Sequence, residues 1–413
     1  MKGIVKKILT AMMLSWSVIP AQWEIAGTMP RHVAGADAFV KDNNIYLFGG
    51  YSDSTQTVVN WIQKYQVLLD LWKQIGEMEY PRYSPVVEAY DDTAFIFGGA
   101  DIVDVEKRST ISKWSLEPRS LVFDTNDVFN RHFASGNIVD GVYYLIGGNF
   151  NDKSSNDTSY ITGYDLRTKK VVYRSNKIFP GLKPDQQMSA VIGNEIYIFG
   201  GVLNGILNSI LRFDTVTKEL TTLRSTLLIP RAGGRAIYDP SEKQIMIIGG
   251  YNESSSALKS VEIFKLLGNE PIVFYLNELN FERTNFTTAF INDKIYVLGG
   301  YDEQGNPVKE IETFATGLTS SEEIILPVAG LKQNYPNPFN PSTTISYQLS
   351  ESGKVNLIVY DILGREITVL VNNHLNPGKY EVEFNAEGLS SGVYYYRLEI
   401  GTFVETKKMI LLR

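Results

Sequence analysis

Six times along this chain an apolar, strand-like run ends in two glycines. The copies read IYLFGG (45–50), FIFGG (95–99), YYLIGG (143–148), IYIFGG (196–201), IMIIGG (245–250) and IYVLGG (295–300). Their first glycines are Gly49, Gly98, Gly147, Gly200, Gly249 and Gly299, so the steps are 49, 49, 53, 49 and 50 residues. A period near fifty is too long for a solenoid rung and suits one four-stranded blade of a β-propeller. The expected fold is therefore all-β, with six blades in a ring. Such a ring says little about chemistry, because propellers host many functions.

The rest of the repeat follows the same logic. Glycines at the end of the second strand allow close backbone approach and φ > 0 where the chain leaves the sheet. Three residues before the first glycine stand Tyr46, Phe95, Tyr144, Tyr197, Met246 and Tyr296, and further on Tyr65, Trp114, Tyr164, Phe213, Phe264 and Phe314. Both sets read as rings of core side chains between neighbouring sheets. Gly-Gly after an apolar strand, the later aromatic, then Trp72, Met78 and Pro81-Arg82 together resemble the Kelch repeat. The resemblance covers residues 22–316, is fullest in the first repeat, and implies a Kelch-type six-bladed propeller. After Gly300 only one more strand fits before the period breaks, whereas Trp23…Met29-Pro30-Arg31 has the pattern of Trp72…Met78…Pro81-Arg82. Residues 22–29 are therefore expected to complete the sixth blade, which removes exposed sheet edges.

Beyond residues 317–330, which read as a linker, the texture changes. NYPNPFNPSTTI (334–345) carries three prolines that each follow asparagine or tyrosine, an extended and turn-rich opening. Short alternating strands follow over about 80 residues, which suggests a small Ig-like β-sandwich. NYPNPFNP (334–341), VYDILGRE (359–366), GVYYYRL (392–398) and Lys407-Lys408 are similar to the C-terminal sorting domain (type A) of proteins exported by the bacterial type IX secretion system. That resemblance implies export directed by residues 331–413, followed by trimming and either release or anchoring at the outer-membrane surface. The other end agrees. Lys2, Lys6 and Lys7 precede a mostly apolar stretch from Ile8 to Ile19, and Pro20-Ala21 offers a cut, so residues 1–21 read as a signal peptide. The expected location is extracellular or the bacterial cell surface.

Composition narrows the chemistry. A net charge of −7, mixed along 413 residues, argues against nucleic acid as a partner. The absence of cysteine excludes thiolate metal sites, cysteine catalysis and the cysteine-linked tyrosine of Kelch copper oxidases. The propeller has two histidines, His32 and His132, too few and too far apart in the repeat for a metal centre. No cofactor, metal or catalytic residue is expected. The leading loops, which enter each first strand, repeat an arginine at Arg31, Arg82, Arg131, Arg231 and Arg283, each 16 or 18 residues before its first glycine, with Pro184 in the fourth repeat. The functional reading is a ring of guanidinium groups at the channel mouth that grips an anionic ligand, as some Kelch domains hold acidic peptides. The structural reading pairs each arginine with a loop carboxylate such as Asp53, Asp101, Asp152 or Asp302. The expected function is a secreted or surface propeller that binds an extracellular protein or glycan. The alternative is a carbohydrate-active enzyme of the Kelch type, such as a sialic acid mutarotase, which needs a carboxylate and an arginine meeting at one point in a deep mouth.

Overall fold

The computed structural model describes residues 22–91, 93–100, 110–115, 120–125, 131–150, 159–175, 184–268, 270–316, 330–349, 353–375, 378–401 and 403–412. The expected signal peptide, Asp101, Asp152 and the linker up to residue 329 lie outside these residues.

Six four-stranded antiparallel sheets follow the six repeats. The first contains Asp37–Lys41, Asn44–Phe48, Trp61–Gln66 and Leu71–Glu77, from its inner to its outer strand. The inner strand of each sheet touches the inner strand of the next, and that of the sixth sheet touches the first, so the blades form a closed circle. In the sixth blade the outer strand is Glu24–Thr28. It pairs antiparallel with Glu310–Ala315, with Glu24 opposite Thr313 and Thr28 opposite Glu310. Trp23 anchors this crossing. Its ring packs 5.2 Å from Phe314, its indole N–H donates to the Asn277 carbonyl, and its own carbonyl accepts from Asn280.

Both aromatic rings are buried, and they interlock between blades rather than within them. Tyr46 of blade one lies 5.1 Å from Trp114 of blade two, Tyr144 lies 5.5 Å from Phe213, and Tyr197 lies 4.8 Å from Phe264. Phe95 with Tyr164, Met246 with Phe314, and Tyr296 with Tyr65 complete the circle in the same sense. Each large side chain removes apolar area from water only when its neighbour is present, about 1.5–3 kcal/mol per side chain, so the blades stabilise one another. The first glycine of each pair serves the same junction. Gly49 has φ +69, and a Cβ there would strike the backbone carbonyl of Arg82 in the next leading loop.

The C-terminal segment forms two sheets. One contains Gly330–Leu331, Ser342–Leu349 and Gly378–Asn385; the other contains Glu366–Leu375, Gly353–Asp361, Gly392–Ile400 and Phe403–Leu411. Alternate residues of both sheets, among them Ile345, Tyr347, Val355, Leu357, Tyr396 and Leu398, share one apolar core. The proline-rich opening is pinned to it. Asn334 is buried and donates to the Pro336 carbonyl and the Thr343 hydroxyl, and Phe339 exchanges backbone hydrogen bonds with Ile410 and Leu412.

Candidate functional site: the central channel and its two ends

Four of the five repeated arginines face inward and cannot meet a ligand. Arg82, Arg131, Arg231 and Arg283 are 3%, 1%, 0% and 0% exposed. Each donates to the carbonyl of its own blade's first glycine: Arg82 to Gly98 at 2.5 Å, Arg131 to Gly147 at 3.1 Å, Arg231 to Gly249 at 2.9 Å and Arg283 to Gly299 at 2.9 Å. Each also donates to one position on the third strand, two residues before the buried aromatic. That residue is Ser112 for Arg82, Thr162 for Arg131, Glu262 for Arg231 (2.6 Å) and Glu312 for Arg283 (2.8 Å). The arginine ring expected at the mouth is thus a structural staple, and its partners are strand residues rather than loop aspartates. The reason is geometric. The five hydrogen-bond donors of a guanidinium can satisfy buried carbonyls at the end of a strand, where water cannot reach. Asp53 instead faces His32 Nδ1 at 2.5 Å and accepts from the Tyr301 hydroxyl, while Asp302 caps its own turn.

Arg31 belongs to a different register. The backbone carbonyls of Arg82, Pro184, Arg231 and Arg283 each accept from the second glycine of the preceding blade, and the residue that occupies this place against Gly299 is Val33. In the two blades whose leading loop lacks arginine here, Val33 and Pro184, the third-strand position holds Gln63 and Leu211 rather than an acid. Arg31 lies two residues earlier. It is exposed, sits 5.3 Å from the Trp61 ring and donates to Gln74. His32 behind it is 4% exposed and donates from Nε2 to the Gly300 carbonyl at 2.7 Å, tying blade one to blade six.

The loops seal this end of the channel. Gly35, Ser84, Phe133, Gln186, Gly233 and Asn285 occupy equivalent places, one per blade, and all have φ between +53 and +63. Their peptide groups bond to one another at five of the six junctions. Gly35 donates to Asn285 (2.6 Å), Asn285 to Gly233 (3.4 Å), Gly233 to Gln186 (3.0 Å), Gln186 to Phe133 (2.8 Å) and Ser84 to Gly35 (2.7 Å). Four of the six are not glycine, and the left-handed region is costly for such residues. The inter-blade bonds hold them there, and free space under this girdle shrinks to about 40 Å³. Around the girdle the leading loops pair with the loops after Gly-Gly, as in Ala34 with Tyr51, Ala232 with Tyr251 and Thr284 with Tyr301. The result is a face carrying half-buried Tyr51, Tyr83, Tyr251 and Tyr301. Burial raises the hydroxyl pKa of Tyr83, Tyr251 and Tyr301, aided by Asp185 at Tyr251 and by Asp53 at Tyr301. These tyrosines were missed in sequence reading, although Gly-Gly-Tyr recurs at residues 49–51, 249–251 and 299–301.

Behind the girdle the inner strands enclose a cavity of about 470 Å³. Solvent reaches it past exposed Ala89. Asp37 is spent on the wall: it accepts from the Val87 N–H (2.9 Å) and the Thr287 hydroxyl (3.1 Å) and lies 3.4 Å from Arg235. Arg235 is likewise engaged, donating to the Phe286 and Ala36 carbonyls. Glu88 differs. Burial, and then the charge of Asp37, push its carboxyl up to about 8, against a hydrogen bond from Asn137 that favours ionisation. Asn137 Oδ1, Ser135 Oγ and Ser189 Oγ line the same cavity without a hydrogen-bond partner. Nothing in the spacing of the sequence singled out these residues: Glu88 and Asn137 share one step of the inner strand and Asp37, Ser135 and Arg235 another, but the side-chain chemistry at each step changes from blade to blade.

Comparison with known proteins now bears on the whole. Residues 333–412 match the family model for the secretion system C-terminal sorting domain, and residues 33–79, 189–222 and 282–314 match the Kelch motif. The chain carries Kelch motifs and a C-terminal segment of the sorting-domain family. Over 217 residues, 51% of this chain, it is 28% identical to a Kelch repeat and BTB domain-containing protein 1 of camelpox virus (strain CMS), covering 36% of that protein. It is 22% identical over 199 residues to Kelch-like protein 38 of Rattus norvegicus, which is 48% of this chain and 32% of that protein. The similarity thus spans about a third of those relatives. The sorting domain marks the Kelch chain for type IX export to the cell surface or beyond.

Proposed function

We propose that this protein is an exported Kelch propeller whose tyrosine-rimmed loop face binds an extracellular protein or glycan. Residues 1–21 act as the signal peptide, residues 22–316 as the working propeller, residues 317–330 as a linker and residues 331–413 as the address read by the type IX machinery. The observation that carries the reading is the sealed mouth. The girdle turns that end into a broad surface rather than a deep site, and four half-buried tyrosines stand on it. Tyrosine offers a flat apolar ring with a polar tip, suited to stacking on a sugar or packing against a peptide at low entropic cost. Arg31, the one exposed member of the arginine set, adds a cation at the rim. The enzyme alternative is less favoured. It needs an arginine free to hold substrate beside a carboxylate, and Arg235, beside Asp37, is committed to wall carbonyls.

The test is a glycan and peptide array probed with the full chain, followed by Tyr251→Ala and Tyr301→Ala. Each variant is expected to weaken the selected ligand at least tenfold while leaving the melting temperature within a few degrees. A ligand bound equally by both variants would place recognition elsewhere.

A further inference from the structure

We propose that the channel behind the girdle is a second binding site, which takes a primary ammonium group on a small, partly apolar body and enters from the end opposite the loop face. Its walls mix alanine, valine, isoleucine and methionine with polar side chains, and the buried side-chain atoms left without a partner among them are acceptors or hydroxyls. They come from neighbouring inner strands: Glu88 from blade two, Ser135 and Asn137 from blade three, and Ser189 from blade four. Asn137 spends its amide N–H on Glu88, which leaves Oδ1 as an acceptor facing no donor, and the Ser135 and Ser189 hydroxyl oxygens are likewise unengaged. Buried polar atoms of this kind are costly unless something satisfies them. An ammonium group carries three donors and no acceptor, which matches that inventory.

Charge points the same way. Four ionisable side chains stand in the cavity wall, Asp37, Glu88, Arg235 and the tyrosine Tyr238. Asp37 and Arg235 face each other at 3.4 Å, so ionised Glu88 is left without a counter-charge. The groups around it are Asp37 and the Tyr143 hydroxyl, which also feels the charge of Arg131. Tyr143 is itself held well above its usual pKa, first by burial and then by Glu88 and Asp37, so it stays neutral. It reaches this spot because residue 136 is glycine, where any side chain would meet the hydroxyl. An incoming ammonium would supply the missing charge, and its binding would be coupled to loss of the Glu88 proton.

The probe is n-propylammonium, with 1-propanol as its neutral counterpart, titrated into the full chain and followed by NMR. Propylammonium remains charged throughout, so binding should strengthen about tenfold between pH 6.5 and pH 9 as Glu88 ionises. Propanol should bind more weakly and with no such dependence. Glu88→Gln should abolish the pH dependence and cost at least tenfold at pH 9. Ala89→Trp, a change at an exposed position, should block access while the fold persists. Tyr251→Ala on the loop face should leave propylammonium binding unchanged, which separates this site from the one proposed above. Equal affinity at both pH values, equal binding of propanol, or undiminished binding by Glu88→Gln or Ala89→Trp would each overturn the proposal.

Discussion

Arg231 and Arg31 show how much one residue type can differ within a single repeat. Arg231 is fully buried, and Glu262 beside it also accepts from the Leu228 and Ile229 N–H groups at 2.7 and 3.0 Å. The carboxylate thus neutralises the guanidinium and fastens the chain that crosses from blade four to blade five. Glu262→Ala leaves a buried cation and two backbone donors without their acceptor, so it should destabilise the propeller by about 3–5 kcal/mol. Arg31→Ala removes an exposed cation and should change stability by no more than roughly 0.5 kcal/mol. Urea unfolding of the two variants checks this, and equal effects would contradict the staple assignment. The sequence showed the recurrence of arginine but hid this difference. Val33 and Arg31 lie two residues apart, and only the close approach of the Val33 carbonyl to Gly299 tells which one occupies the repeat position. The third-strand partners Ser112, Thr162, Glu262 and Glu312 vary in chemistry, so they carry no visible motif.

Among elements, the strand Glu24–Thr28 matters beyond its length. Among the described residues it is the only sheet partner of the outer edge of Glu310–Ala315, and Met29 continues the contact through its N–H to the Lys309 carbonyl at 2.7 Å. Losing it exposes that edge and uncovers the face on which Trp23 packs. Deletion of residues 22–30 should lower the melting temperature by roughly 10 °C or more. Trp23→Ala alone should cost about 3–5 kcal/mol. A calorimetric trace unchanged by the deletion would mean that the ring does not depend on its latch. This element was readable because the Trp…Met-Pro-Arg string at residues 23–31 repeats that at 72–82, and a repeated pattern asks for a repeated place in a sheet. The girdle was not readable in that way. Its members, from Gly35 to Asn285, share a backbone conformation and no side-chain type.

For the molecule as a whole, the proposed function puts binding and export on separate parts of the chain. The sorting segment has its own apolar core, built from two sheets of its own. A chain ending before residue 331 should therefore still form the propeller but stop in the periplasm, as cell fractionation would reveal. Normal levels of that shortened chain outside the cell would refute the sorting role.

Periodic and local features decided the architecture from sequence alone. Glycine pairs, buried aromatics and turn chemistry act over a few residues and recur every fifty, so the blades, their order and the separate C-terminal domain could all be read directly. What faces the axis, what faces solvent and which polar atoms find partners were decided only when six sheets closed on one another. Closure turned four of the five arginines inward, raised tyrosines to the loop face and left Glu88 in a channel where burial and Asp37 oppose its charge. Those environments are made by residues from different blades, and no window of sequence contains them.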